Sequence, residues 1–416
     1  MSKEQQSETL DMNQLVDGWD DEKVREFQET FLTWYDEEKR WLPWRVSKEP
    51  YGIWVSEIML QQTQVATVIP YYERFMEWFP TVADLAAAPE ERLLKAWEGL
   101  GYYSRVRNMQ FAARQIMDEF GGNFPQTVKE LKKLKGIGPY TAGAIASISF
   151  DAPEPAVDGN VMRVFSRLFG IKQDIAKSGT LKFFDFVVRH VISHDAPGDM
   201  NQATMDLGAS LCTPTSPQCS SCPLKNYCLA NREGTQENYP VKSKKIKVKP
   251  MYYIGLAKEN AQGAFEFVQR AGTGLLANMW TFPLIEVTKK EYEIFRQEWQ
   301  RYLNEPRGQE TLDLVAEEDW RLSDWLDAQD SETVWKKMPV GEVTHVFSHL
   351  KWHVLVVYGR RKLADITGKE ISEVGQETHW LSVEDFESRP LPKPQEKMTH
   401  LLIQQGYFEK MISADK

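Results

Sequence analysis

Apolar residues recur at three- and four-residue steps through most of the first half of the chain, as in Val24, Phe27, Phe31, Trp34 and Tyr35, the spacing of one buried helix face. This texture runs from about Asp21 to Leu211 and predicts an almost wholly helical block. Its punctuation agrees. Thr81 with Asp84, and Thr127 with Glu130, have the spacing of capping boxes, while Gly121-Gly122 and Gly170 stand where helices should stop. Beyond Pro250 the pattern changes to alternating, β-branched and aromatic runs at Tyr252–Ala257, Phe265–Gln269 and His353–Tyr358. Helical periodicity returns over about Lys289–Asn304 and Glu396–Gln405. The expectation is a second, α+β domain. Residues 1–20 are acidic and lack apolar periodicity, so they read as a disordered tail. Residues 229–250 are polar, end in Lys242, Lys244, Lys245, Lys247 and Lys249, and read as a linker. The expected domains are therefore 21–228 and 251–416.

A length of 416 residues suits two or three domains, and no apolar run approaches the roughly 18 to 20 residues that cross a bilayer. A soluble, cytoplasmic protein is expected. The net charge of -10 argues at face value against nucleic acid, yet residues 1–38 hold twelve acids against three bases, while residues 39–228 hold nineteen against twenty-one. Residues 101–150 carry seven bases and three acids, which leaves room for a local basic face.

All four cysteines fall in one window, Cys212-x6-Cys219-x2-Cys222-x5-Cys228. Four thiolates from one short loop can close the coordination of an iron–sulfur cluster or of a structural zinc. Two disulfides suit a long chain with 42% hydrophobic residues poorly, and the asymmetric spacing lacks the paired CxxC knuckles of a zinc ribbon. Iron–sulfur is favoured.

Leu134-Lys135-Gly136-Ile137-Gly138-Pro139-Tyr140-Thr141-Ala142 places a Gly-x-Gly turn between two helices. Gly136 and Gly138 leave backbone N–H groups uncovered at a helix N-terminus, where a phosphate oxygen can bind, and Lys132, Lys133 and Lys135 add charge. An ordinary helix–helix turn is the other reading of Gly-x-Gly alone. The stretch resembles the helix-hairpin-helix that grips the DNA backbone, and the cysteine spacing resembles the [4Fe-4S] loop of the endonuclease III superfamily. Over about residues 25–400 the chain resembles the adenine DNA glycosylase (MutY) family within it. The residues that carry this are Leu42-Pro43-Trp44-Arg45, the run Trp54-Val55-Ser56-Glu57-Ile58-Met59-Leu60-Gln61-Gln62-Thr63-Gln64-Val65, Gly99-Leu100-Gly101-Tyr102-Tyr103-Ser104-Arg105, Val157-Asp158-Gly159-Asn160-Val161, and Asn201-Gln202-Ala203.

Read chemically, Glu57 lies among apolar residues on a predicted helix, where desolvation should keep its carboxyl protonated. An acid held against a flipped adenine eases departure of the base by protonating N7. Asp158 is well placed to cap a helix, and the resemblance implies that it also stabilises the oxocarbenium-like sugar or attaches to it transiently. Tyr140 stands where strand-cutting relatives carry a Schiff-base lysine, which implies base removal without efficient strand scission. Through the resemblance, Trp44, Arg45 and Gln202 form the adenine pocket, and Leu60, Gln62, Thr63 and Tyr102 enter or border the duplex at the lesion. In the second domain, which resembles the Nudix fold, Phe347, Ser348 and His349 are implied to read 8-oxoguanine. No Nudix helix is found: Gly272-Thr273-Gly274 leads instead into Leu275-Leu276-Ala277-Asn278-Met279-Trp280-Thr281-Phe282-Pro283, so this domain should recognise rather than hydrolyse.

The resemblance thus implies a multidomain protein: an all-α helix-hairpin-helix glycosylase domain with a [4Fe-4S] cluster on Cys212, Cys219, Cys222 and Cys228, then an α+β Nudix-like domain. Its expected partner is double-stranded DNA with A:8-oxoguanine or A:G mispairs, handled by a monomer at the bacterial nucleoid. A pyrimidine-damage glycosylase with lyase activity and a silent DNA-binding protein are the other readings; Tyr140 argues against the first, and Glu57 with Asp158 against the second. The cluster loop between Cys212 and Cys219 has no basic residue, so Lys225 or the linker lysines are the candidates for phosphate contact there.

Overall fold

In the computed structural model, residues 12–243, 248–304, 321–362, 370–371 and 377–407 are described. The described residues within 1–90 and 104–245 make one compact unit, and those within 91–103 and 246–416 make a second. None of their helices is long and apolar enough to cross a membrane.

The first unit is helical, as the periodicity predicts. Asp20 caps the helix Asp21–Glu38, and Phe27, Phe31 and Tyr35 on one of its faces are buried. They join Val161, Val164, Phe165 and Leu168 of the helix Gly159–Phe169, Phe184, Val187 and Val188 of the helix Leu181–Val191, and Ala203 and Leu207 of the helix Pro197–Ser210 in one core. Thr81 and Asp84 form the expected reciprocal cap, the Thr127 hydroxyl accepts from Glu130 N, and Gly170 closes its helix in a left-handed conformation.

Two boundaries differ from the sequence expectation. Residues 12–20 are structured: Met12–Val16 makes a 3-10 turn and Trp19 packs its ring 4.7 Å from that of Phe169. Residues 229–243 also belong to the fold, since Leu229–Glu233 is helical, Tyr239 is buried, and Ile175 N donates to Val241 O at 3.0 Å. One or two large apolar residues in a polar stretch hold each segment, too few to register as periodicity. The remainder of the expected tail, and Lys244, Lys245 and Lys247 of the expected linker, lie outside the described residues. Residues 91–103, expected within the helical domain, group with the second unit, where Glu98 accepts from Leu391 N at 2.8 Å.

The second unit is a mixed sheet. Its strands are β1 (Lys249–Glu259), β2 (Phe265–Gln269), β3 (Trp280–Thr281), β4 (Leu284–Val287), β5 (Thr333–Trp335), β6 (Gly341–Val346), β7 (Leu350–Arg361), β8 (Glu370–Ile371) and β9 (Glu377–Leu381). The path runs β5-β7-β1-β2-β9-β8, with β3 on β2, β4 on β1 and β6 on β7. β1 and β7 pair in parallel from Lys249 opposite Leu350 to Glu259 opposite Arg360. Trp352, Val354 and Val356 of β7 point to a core shared with Met398 and Leu402 of the helix Lys393–Gln404, and Leu355 and Val357 point to Tyr292 and Phe295 of the helix Lys289–Asn304. Both faces are covered, which is why β7 reads as an almost unbroken apolar run.

Candidate active site

The helix Pro50–Leu60 opens on Pro50, with the Glu49 carboxylate accepting from Tyr51 N at 2.7 Å, and every residue from Tyr51 to Met59 is buried. Glu57 rides on it with only 5% of its surface exposed. Burial pushes its carboxyl up and the Asp158 charge adds to that; the Tyr140 hydroxyl and the Arg45 cation pull the other way, and the balance leaves it at about 7. Tyr140, in the first turn of the helix Pro139–Phe150, donates its hydroxyl to Glu57 Oε2. Burial and the neighbouring carboxylate push that phenol well above its ordinary range, so it stays a donor.

Asp158 caps the helix Gly159–Phe169, with Oδ1 accepting from Val161 N at 2.8 Å and Oδ2 from Asn160 Nδ2 at 2.9 Å. Burial raises its carboxyl against those bonds. The chain leading to it is held on two sides. A Cβ on Gly143 would lie 2.0 Å from Pro155 O, so only glycine lets the Pro139–Phe150 helix approach this closely. Asn201 accepts from Ala156 N at 3.1 Å and donates to Glu154 O and to Ser147 Oγ, both at 2.9 Å.

Glu57, Tyr140 and Asp158 line one cleft of ≈ 510 Å³. Trp44, Arg45 and Gln202 line it as well, and so do Leu60, Gln62 and Thr63, so nine residues singled out from sequence converge there. Trp44 is buried edge-on to Tyr72 at 5.4 Å. Gln62 has a left-handed backbone (φ 60°), and Arg105 Nη1 steadies that corner by donating to Ile58 O at 2.8 Å and Gln61 O at 2.6 Å. Arg105, Asn160 and the buried Asp206, which grips Arg45 at 2.7 Å, are supports that the sequence reading gave no role; Arg105 and Asn160 lie inside the stretches singled out, and only the fold brings Asp206 to Arg45.

The hairpin before Tyr140 alternates sharply. Leu131, Leu134 and Ile137 are buried while Lys132, Lys133, Lys135, Gly136 and Gly138 are exposed. Gly136 has φ +80° and a Cβ there would meet Asn108 at 2.8 Å; a Cβ on Gly138 would meet nothing, so that backbone is open to an approaching group. Tyr102 lies in the other unit, half-exposed, in a left-handed conformation at φ 49°. In that unit Phe347, Ser348 and His349 form the tight turn between β6 and β7, closed by Phe347 N donating to Leu350 O at 2.7 Å. Phe347 packs edge-on to His345 and Trp352, and Ser348 and His349 are exposed at the tip.

The four cysteines are half-buried, and Cys212, Cys222 and Cys228 pack at the edge of the helical core. Arg167, 2% exposed, lies under their loop and donates to Cys212 Sγ at 3.3 Å and Thr213 O at 2.8 Å. Arg163 donates to Cys212 O at 2.8 Å and to Asn160 Oδ1 at 2.9 Å. Burial pushes the Cys219, Cys222 and Cys228 thiols up, Cys222 to about 12, and each is raised further by the other sulfurs, so thiolates here need a cationic centre. Among the described residues no three His, Cys, Asp or Glu side chains close on a single metal ion. The donor set, four thiols from one short loop with the Arg167 guanidinium donating to Cys212 Sγ, fits an iron–sulfur cluster.

Three family models match the chain. One for the HhH-GPD superfamily base excision DNA repair protein matches residues 55–189, one for the iron-sulfur binding domain of endonuclease III matches 212–228, and one for a NUDIX domain matches 255–401. Adenine DNA glycosylase of Rattus norvegicus is 34% identical across 90% of this chain and 77% of its own length. That of Homo sapiens is 34% identical across 90% and 74%. That of Buchnera aphidicola subsp. Schizaphis graminum is 29% identical across 90% and 98%.

Proposed function

The chain belongs to the adenine DNA glycosylase family, and we propose that within base excision repair it removes adenine opposite 8-oxoguanine, or opposite guanine, in duplex DNA. The observation that carries this is a buried Glu57 held at about 7 in the same cleft as the helix-capping Asp158. Two carboxyls in one desolvated cleft divide the work in this reading, Glu57 as the proton donor and Asp158, both of whose oxygens accept hydrogen bonds, as the anion.

A flipped adenine enters the cleft between the Trp44 ring and the amide of Gln202, with the Arg45 wall beside it. Glu57 gives its proton to N7, the bond from C1′ to N9 breaks, and its electron pair stays on the base. Asp158 meets the cationic sugar. Water then bonds to C1′, and the carboxylate left on Glu57 accepts its proton, so the site returns to its starting state. Tyr140 keeps Glu57 oriented and offers no amine, so no Schiff base forms and the strand is left uncut. Leu60, Gln62 and Thr63 fill or border the gap left by the flipped base, and the exposed Gly136–Gly138 turn with its lysines takes backbone phosphate; Tyr102, exposed on the other unit, is a DNA contact of that unit.

The [4Fe-4S] cluster, held by Cys212, Cys219, Cys222 and Cys228, supplies a fixed end to the helical core rather than a reacting atom. In the Nudix-like unit the exposed turn of Phe347, Ser348 and His349 reads the base opposite adenine, with the Ser348 hydroxyl as the polar contact. The chain works as a cytoplasmic monomer at the nucleoid of a bacterium.

Duplexes carrying A:8-oxoguanine, A:G, A:T or an oxidised pyrimidine, treated with cluster-replete protein and then alkali, test the reading. Cleavage is expected on the first two, with intact strands before alkali and no borohydride-trapped adduct. No abasic product on A:8-oxoguanine, or stoichiometric trapping, overturns it.

A further inference from the structure

Asp206 is 3% exposed and carries two guanidinium groups. Its Oδ2 and Oδ1 accept from Arg45 Nη1 at 2.7 Å and Nη2 at 3.0 Å, a two-pronged grip. Its Oδ1 also accepts from Arg40 Nε at 2.9 Å and from Arg40 Nη2. Arg45 donates a further bond to Arg40 O at 3.2 Å. Burial opposes an anion here, and the two guanidiniums overcome it and hold the Asp206 carboxyl below its ordinary range.

The two arginines differ in exposure. The Arg45 side chain is 12% exposed and that of Arg40 is 37% exposed. Both line the cleft that holds Glu57, and both also line an adjoining cavity of ≈ 480 Å³. Arg45 is the cation that acts on Glu57; the other groups that act on it are Tyr140 and Asp158. Around Arg45 and Asp206 stand Tyr35, whose ring lies 5.7 Å from the Arg45 guanidinium, and Asp199, which acts on Tyr35. Of these, Asp206 is the one carboxylate bonded to Arg45.

We propose that Asp206 is a positioning residue for base excision: it fixes the Arg45 guanidinium in the wall of the cleft and balances its charge, so that Glu57 keeps the proton it delivers to adenine. A cation facing a buried acid favours the ionised acid, and an anion in contact with the cation weakens that pull. With Asp206 neutral, two cations would share the wall and Glu57 would lose its proton at lower pH. This rests on the reading of Glu57 as the acid.

Single-turnover excision of adenine opposite guanine, followed against pH for cluster-replete wild type, Asp206→Asn and Arg40→Gln, tests it. The wild-type rate should fall as pH rises through about 7. In Asp206→Asn the fall should begin at lower pH, so that excision at pH 7.5 drops roughly threefold to tenfold while at pH 5.5 it stays within about twofold. Arg40→Gln removes the outer cation and should move the fall the opposite way, which keeps the test alive if Asp206→Asn does not fold. Variants slowed equally at every pH, or a fall that neither substitution moves, overturn the inference alone. A Glu57→Gln variant that keeps the wild-type rate and pH profile overturns the reading of Glu57, and the inference with it.

Discussion

Glu57 is costly to keep. A carboxyl raised from an ordinary 4.5 to about 7 binds its proton more tightly in the folded chain than in the unfolded one. Below about pH 4.5 both states hold the proton and there is no penalty. As pH rises from there to about 7 the folded state loses ground, and above that window the cost is roughly 3 kcal/mol. Glu57→Gln can still accept from the Tyr140 hydroxyl but never ionises. Urea unfolding should therefore find this variant more stable than wild type by roughly 3 kcal/mol at pH 8, with the gain shrinking as pH falls toward 5. A gain that does not depend on pH, or a loss at pH 8, would show that burial does not raise this carboxyl. Stability is held back here by a group that the proposed chemistry needs protonated at working pH.

At the scale of elements, the site is assembled by contacts that fix short segments rather than by the helices alone. Asn201 ties the Pro197–Ser210 helix to residues 154–156, just ahead of Asp158, through two bonds, and to Ser147 of the Pro139–Phe150 helix through a third. Asn201→Ala would leave Ala156 N and Glu154 O without this partner in a buried place and should cost roughly 3 kcal/mol in urea unfolding. It should also slow adenine excision, because Asp158 loses its anchored approach; excision at the wild-type rate would mean that the cap alone positions Asp158. Sequence made the helices legible because their apolar faces, caps and glycine stops are local: Phe27 and Phe31, Thr81 and Asp84, and Gly170 each stand where periodicity puts them. It also pointed to Asp158 as a cap, since capping needs only its own neighbours. The grip of Asp206 on Arg45 spans 161 residues, and the burial of Trp19 depends on Phe169; no local pattern encodes either. Lone aromatic residues in acidic or polar stretches, such as Trp19 and Tyr239, are the ones that periodicity passes over.

At the scale of the whole molecule, the proposed chemistry and the proposed recognition reside in different units. The cleft with Glu57 and Asp158 lies in the helical unit, and the Phe347–His349 turn lies on the sheet of the other. Ser348→Ala removes one exposed hydroxyl from a turn whose backbone bond and aromatic packing remain. It should cut the preference for 8-oxoguanine over guanine opposite adenine by roughly threefold to tenfold, the worth of one hydrogen bond, and leave excision opposite guanine unchanged. Equal losses on both duplexes would assign Ser348 to general DNA contact. The net charge of -10, which weighs against nucleic acid when taken as a single sum, does not describe the hairpin, where Lys132, Lys133 and Lys135 are exposed around an open backbone. The most direct test of the central claim is single-turnover excision of adenine opposite 8-oxoguanine across pH, in wild type and in Glu57→Gln. Wild type should excise adenine at a rate that falls as pH rises through about 7, and Glu57→Gln should be inactive at every pH; a variant that keeps both rate and profile would contradict Glu57 as the acid.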